Sequence, residues 1–154
     1  MSTPEDAEKD IRHAITHYLS RREHGYHELI QKLSQKGFTS NDIVPILDKF
    51  KDADIQSDVR FADMHIRNGA NKGQGMTRIK ETLRQLRVDD ASLNLALQDV
   101  DIDWFSLAQR ARLKRFGELL PSDTRQKSKQ QRFLLYRGFS FEQIDHALTN
   151  TVDP

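Results

Sequence analysis

The sequence predicts an all-α protein of three tandem three-helix repeats, which we expect to stack into an elongated, curved body. Three observations predict this class. Four apolar positions recur along the chain, apolar residues fall at helical spacing on both sides of each recurring turn, and no stretch shows the alternation of a β-strand. Because one repeat has few positions to bury, neighbouring repeats must stabilise one another by stacking.

The repeat aligns residues 28–47 with 78–97 and 129–148, at spacings of 50 and then 51 residues. The recurring apolar positions are Leu33, Leu83 and Leu134; Phe38, Val88 and Phe139; Ile43, Leu93 and Ile144; and Leu47, Leu97 and Leu148. Each aligned stretch predicts two helices and a tight turn, with a further helix ahead of it, the third of these beginning near Trp104. The predicted organisation is an acidic N-terminal extension (1–10) and repeats over 11–53, 54–102 and 103–150.

The turns inside the repeats carry residues that are typical of helix ends and helix starts. Gly37 and Gly138 stand where a helix end favours a left-handed residue, and Thr39 and Ser140 follow as helix N-caps. Arg87 replaces the glycine in the second copy. That turn therefore either lacks a left-handed residue or strains one, and one of the two aspartates that follow must cap the next helix.

Charge is segregated along the chain although the net charge is only +1. Residues 104–140 hold nine basic and two acidic side chains, whereas residues 88–103 hold five aspartates and no lysine or arginine. Such segregation predicts a basic surface that can bind phosphates or an acidic protein groove.

Composition argues against several classes of protein. The chain has no cysteine, so a disulfide, a thiolate nucleophile and a cysteine zinc site are all unavailable. Its start is acidic and no apolar run reaches membrane-spanning length, which predicts a cytoplasmic protein without a membrane contact. No serine or acid pair stands in a catalytic context, so we expect binding and no enzymatic activity.

Two weak motifs have ordinary explanations. His13, His17, His24 and His27 could converge on zinc, but no acidic partner has a matching spacing, and we interpret them as polar surface residues, with no metal or cofactor. The glycines of residues 73–75 precede a helix as in a phosphate-binding loop, yet no strand precedes them. We favour a flexible hinge between the first and second repeats.

Several strings of residues together resemble the RecX family, the bacterial regulators of RecA recombinase. They are Arg21-Arg22-Glu23 with Glu28-Leu29, Lys36-Gly37-Phe38, Asp58-Val59-Arg60-Phe61-Ala62, Gly73-Gln74-Gly75 with Arg78-Ile79, and Arg137-Gly138-Phe139-Ser140. Their order and separation span the chain from about Ile11 to Leu148. Arg87 in place of a turn glycine is the clearest departure from the family pattern.

The resemblance implies a non-enzymatic monomer that binds the RecA–DNA filament and restrains the recombinase, ATPase and co-protease activities of RecA, with single- or double-stranded DNA bound weakly when RecA is absent. Arg21, Arg22, Arg60 and Arg137 are the candidate contacts that family motifs supply, although Arg60 could instead pair with Asp58 or Asp63. Charge alone adds Arg110, Lys114, Arg115, Lys127, Lys129 and Arg132. The alternatives are a helical protein that binds DNA or RNA without a recombinase, and a metal-dependent hydrolase.

Overall fold

The computed structural model describes residues 3–150, which form nine helices and no strand. The helices are α1 (Pro4–Arg21), α2 (Tyr26–Gln35), α3 (Ser40–Asp52), α4 (Asp58–Asn71), α5 (Met76–Gln85), α6 (Asp90–Asp99), α7 (Trp104–Phe116), α8 (Thr124–Tyr136) and α9 (Phe141–Thr149). The predicted all-α class is confirmed, and α1 begins at Pro4, within the segment predicted to be an N-terminal extension. Within residues 3–150, none of the helices is long and apolar enough to cross a bilayer.

The chain divides into two compact units, Met1–Met64 with Leu83–Leu97 (unit 1) and His65–Thr82 with Gln98–Pro154 (unit 2). In unit 1, α1, α2 and α3 pack around a core of Ile11, Ile15, Leu29, Leu33, Ile43 and Leu47. In unit 2, α7, α8 and α9 pack around Ala108, Leu134, Phe139, Ile144 and Ala147. Each core uses the apolar stripe of its helices, which is the main stabilising term of such a bundle.

The recurring apolar positions form the interior of the repeats. Ten of the twelve are buried, and only Phe38 and Leu97 are half-buried. The sequence pattern therefore identifies the core correctly, because a helix that buries one stripe must place apolar residues at those positions.

All three internal turns have the same backbone hydrogen bonds. The N–H groups of Phe38, Val88 and Phe139 donate to the carbonyls of Leu33, Leu83 and Leu134 at 3.2, 3.0 and 3.2 Å. The residue before each of these N–H groups is left-handed, with φ of 100° at Gly37, 60° at Arg87 and 99° at Gly138. This geometry satisfies carbonyls at the helix end and returns an apolar side chain to the core. Arg87 therefore adopts a left-handed conformation, which is strained for a residue other than glycine.

The predicted helix starts are also confirmed. Thr39 and Ser140 accept hydrogen bonds from the N–H groups of Asp42 and Gln143, and the Ser140 N–H donates in turn to Oε1 of the Gln143 side chain. In the second repeat the first of the two aspartates, Asp89, caps α6 by accepting from the Ser92 N–H at 2.7 Å. These bonds pair N–H groups that the helix itself leaves unpaired.

His24 lies in the interior of unit 1, contrary to the prediction that it is a surface residue. Its side chain is 2% exposed, with Nδ1 3.1 Å from the Arg22 carbonyl oxygen and Nε2 3.0 Å from Lys32 Nζ. A neutral ring that donates from Nδ1 and accepts at Nε2 satisfies both contacts. Burial lowers the pKa of His24 from its ordinary 6.5, and the nearby charges of Arg22 and Lys32 act in the same direction.

Replacing Arg87 by glycine is expected to raise the free energy of unfolding by about 1 kcal/mol, because glycine adopts the left-handed conformation without a Cβ clash. Urea unfolding measures the change. Gly37→Ala is the matched control, since an added Cβ there meets nothing within 4 Å and only the backbone penalty applies. It should lower stability by a similar amount, and a loss of stability in Arg87→Gly would contradict the interpretation.

The lowered pKa of His24 makes stability depend on pH. Below about pH 6.5 the unfolded chain gains a proton at His24 that the folded chain resists, so the free energy of unfolding should fall on acidification, by at most ~1.4 kcal/mol per pH unit. Urea unfolding between pH 7.5 and 5 measures this slope. His24→Gln removes the group, and an unchanged slope in that variant would show that His24 contributes nothing.

Candidate functional site

Helix α7 carries one side of a basic groove in unit 2. Asp103 caps this helix by accepting from the Ser106 N–H at 3.2 Å and the Ser106 hydroxyl at 2.7 Å. Arg110 and Lys114 are four residues apart and therefore project from the same side of the helix. The groove has a volume of about 560 Å³, and its cations are Lys72, Arg110, Lys114, Arg115 and Arg137. We call this set of five the basic groove.

Arg137 is fixed at the groove by its position at the C-terminus of α8. Its Nη1 donates to the Lys72 carbonyl at 3.0 Å, and its guanidinium lies 5.0 Å from the centre of the Phe133 ring. The Arg115 guanidinium lies 5.9 Å from the same ring, and the Phe116 ring meets it edge-on at 5.3 Å. The groove therefore combines positioned cations with an aromatic surface.

The glycine segment 73–75, which the sequence predicts to be a flexible hinge, lies between α4 and α5 and contacts the turn that follows α8. The Gly75 N–H donates to the Arg137 carbonyl at 2.7 Å, and the Thr77 N–H donates to the Gly138 carbonyl at 3.1 Å. A Cβ on Gly75 would lie 2.4 Å from the Gly138 backbone, so the two glycines permit this close approach. Because the Gly75 and Thr77 amides are already paired, they cannot serve a phosphate-binding loop.

Two carboxylates also line the groove, Asp101 and Asp103. Asp103 is committed to its helix cap, since hydrogen bonds from Ser106, together with the charge of Arg110, lower the pKa of the Asp103 carboxyl. Among residues 3–150, none of the five groove cations forms an ion pair with a carboxylate. The groove is therefore available to an anionic ligand.

The three cations predicted on α8 do not share one face. Lys129 and Arg132 are three residues apart on the exposed side of the helix, and Gln130 and Leu134 are buried on the other. Lys127 is exposed too, but it precedes Leu134 by seven residues and projects from that second side at the helix start. Charge counting alone could not separate these positions.

The charges of the two units differ in sign. In residues 3–64 and 83–97 of unit 1, 11 basic side chains accompany 14 acidic ones, for a net charge of −3. In residues 65–82 and 98–150 of unit 2, 13 basic side chains accompany eight acidic ones, for a net charge of +5. Unit 2 is therefore the unit that attracts polyanions.

Residues 12–50 match the family pattern described as "RecX, first three-helix domain", and residues 101–148 match "RecX, third three-helix domain". Over 136 residues the chain is 40% identical to the regulatory protein RecX of Vibrio campbellii, with 88% of each chain covered. It is 35% identical over 144 residues to the regulatory protein RecX of Halorhodospira halophila, covering 94% of this chain and 89% of the relative.

The chain belongs to the RecX family. Two crystal structures share its fold. A regulatory protein RecX superimposes with a TM-score of 0.78 at 23% identity, covering 92% of this chain and 72% of that one. RecX from Lactobacillus salivarius superimposes with a TM-score of 0.76 at 24% identity, covering 93% and 95%.

Two arginines of unit 1 that carry the RecX resemblance form ion pairs within the unit. Arg22 forms a bidentate pair with Glu28 at 3.0 and 2.8 Å. Arg60 pairs with Glu23 at 2.9 Å and with Asp54 at 3.1 Å, not with Asp58 or Asp63 as the sequence allowed. In contrast, Arg21 at the end of α1 is exposed and has no ion pair among residues 3–150.

Asp58, in the same RecX motif as Arg60, accepts from the Tyr26 N–H at 2.9 Å and from the Gln56 side chain at 2.9 Å.

The ion pair with Arg22 also changes the pKa of Glu28. Burial alone would raise this pKa, but the hydrogen bonds and charge of Arg22 outweigh burial and lower it. Asp58 and Glu28 therefore have a structural role in unit 1.

The histidines do not form a metal centre in this part of the chain. Both ring nitrogens of His24 already have partners. Across residues 3–150, no group of three or more His, Asp or Glu side chains is placed to hold a metal ion.

Arg112 is a member of the basic segment 104–140 that the structure removes from the surface. It is 1% exposed, its Nη1 donates to the Leu119 carbonyl at 3.2 Å, and its Nε has no hydrogen-bond partner within residues 3–150. Burial lowers the pKa of the Arg112 guanidinium. The sequence could not reveal this, because Arg112 has the same type and spacing as its exposed neighbours.

Arg112→Met is expected to raise the free energy of unfolding by roughly 1 kcal/mol, because it replaces a buried charge that lacks a carboxylate partner in the described part of the chain with an apolar chain of similar length. Leu119 is 87% exposed, so we expect water to satisfy its carbonyl. Urea unfolding is the measurement, with Arg110→Met on the exposed side as a control that should change stability by less than about 0.5 kcal/mol. A loss of stability in Arg112→Met would show that the charge supports the fold.

Proposed function

We propose that this protein binds RecA and the RecA–DNA filament in the cytoplasm and inhibits the recombinase, ATPase and co-protease activities of RecA, thereby modulating recombination, DNA repair and the SOS response. The observation that carries the proposal is the match over most of the chain to proteins called regulatory protein RecX. The protein acts as a monomer by occupying a surface, and it has no catalytic role.

The charge distribution supports binding to a nucleoprotein filament. Unit 2 concentrates basic side chains, which favours association with the phosphates of DNA and with acidic protein surfaces. Lys129 and Arg132, on the exposed side of α8, are not paired within the described chain and remain available to a partner. We assign the exposed side of α8 to protein contact.

A second candidate function is direct binding of DNA or RNA without a recombinase, which the unpaired cations of the basic groove also support. Salt titration separates the two functions. Tight binding to nucleic acid alone with a steep dependence on salt, and no further effect of RecA, would favour the second function.

The test is DNA-dependent ATP hydrolysis by RecA on single-stranded DNA, measured with increasing amounts of this protein. We expect suppression at substoichiometric to equimolar ratios. Lys127→Glu, Lys129→Glu and Arg132→Glu together should raise the concentration for half suppression about tenfold, a loss of ~1.4 kcal/mol in binding.

The matched control reverses three exposed cations of unit 1, with Lys9→Glu, Arg12→Glu and Lys49→Glu. Its net charge changes by the same amount, so it should suppress RecA nearly as well as the wild type if position matters more than total charge. No suppression by the wild-type protein at equimolar levels would overturn the proposed function. Equal weakening of both triple variants would overturn the assignment of α8.

A further inference from the structure

The cations of the basic groove surround apolar groups. Ile102, Leu107 and Phe133 line the groove together with the five cations. Phe133 is half-buried against the core of unit 2, so its ring is held in position. A ligand in this groove would meet charge and a flat apolar surface together.

The aromatic surface is extended by a guanidinium. Arg137 lies 5.0 Å from the centre of the Phe133 ring, and its bond to the Lys72 carbonyl restrains it there. Nucleic-acid bases stack on aromatic rings and on guanidinium planes alike. Because the Arg137 position is set by the folded chain, little side-chain freedom is lost when a base binds.

We propose that the basic groove binds one unstacked nucleotide of a single nucleic-acid strand, with the base against Phe133 and Arg137 and the flanking phosphates on Arg110 and Lys114. The proposal rests on the proposed function in taking nucleic acid as a partner, and it names the groove as the part of unit 2 that contacts the strand. The exposed side of α8 is then left to the protein component of the filament.

The groove fits a nucleotide better than it fits a duplex. Its volume of about 560 Å³ falls within the ~300–1,000 Å³ typical of sites that enclose a small ligand. In a duplex the base faces are covered by stacking and cannot lie on Phe133. A duplex would therefore use the cations and leave the apolar surface unoccupied.

The groove also fits a nucleotide better than an acidic peptide. An acidic peptide would pair with the cations, but its carboxylates would gain nothing from Phe133 and would meet Asp101 and Asp103. Asp101, which is not used in a helix cap among the described residues, can accept a hydrogen bond from a base N–H. The mixture of charges and apolar groups therefore favours a nucleotide.

The experiment measures binding of the full-length protein, without RecA, to a fluorescent 12-nucleotide oligo(dT) by anisotropy over a range of salt concentrations. The groove variant is Arg110→Gln with Lys114→Gln, and the matched control is Lys129→Gln with Arg132→Gln. Both variants lose two exposed positive charges from one helix of unit 2, and circular dichroism checks that both remain folded.

We expect the groove variant to bind oligo(dT) at least about tenfold more weakly than the wild type, whereas the control changes by less than about threefold. The slope of log K against log salt should fall by ~1.4 in the groove variant, because each lost phosphate contact on a single strand contributes about 0.7. Phe133→Leu should weaken binding roughly fivefold with an unchanged slope, because stacking is lost and charge is kept.

Several results would overturn the proposal. They are unchanged binding in the groove variant, equal weakening of groove variant and control, no effect of Phe133→Leu, and a duplex of the same length bound as tightly as the single strand. Free ATP competing at the same nucleotide concentration would identify a free nucleotide as the ligand, and polyglutamate competing equally would identify an acidic peptide. Suppression of RecA ATPase that persists alongside any of these results would leave the proposed function standing while the groove assignment fails.

Discussion

The left-handed residue that closes each internal turn is the constraint on which the repeats depend. It allows an apolar residue to donate its N–H to a leucine carbonyl and return its side chain to the core. In unit 2 the same turn has a second consequence, because the carbonyls of Arg137 and Gly138 accept from Gly75 and Thr77. The turn that completes the core of unit 2 thereby sets the backbone position of Arg137 beside Phe133.

The arginines of the chain divide by what they contact. In unit 1, Arg22 pairs with Glu28 across the turn between α1 and α2, and Arg60 pairs with Glu23, which is distant in sequence. In unit 2, Arg110 and Arg115 have no carboxylate partner among residues 3–150 and face a groove. These two cations are hydrated and are not neutralised by a carboxylate of the described chain, so their charge remains available for binding. Arg112 shows the third outcome, a buried cation that contributes to neither role.

The glycines illustrate how the same residue type acts for different reasons. Gly37 has a left-handed φ and open space around it, so its conformation explains its identity. Gly75 has no left-handed φ, and its identity follows from the backbone of Gly138, which a Cβ would contact at 2.4 Å. Only the first reason leaves a local signature in the sequence, whereas the close approach at Gly75 depends on a contact with a distant segment of the chain.

The sequence by itself determined the helices, the capped turns and the buried positions such as Leu33, Leu83 and Leu134, because helical period and capping are local properties of the chain. It also located the concentration of positive charge. Only the tertiary structure decided that Arg112 and His24 are interior, that Lys127 and Lys129 lie on different sides of α8, and that Lys72 joins Arg110 and Arg137 in one groove. These outcomes depend on which helix faces which, and long-range packing chooses among side chains that the local pattern treats as equivalent.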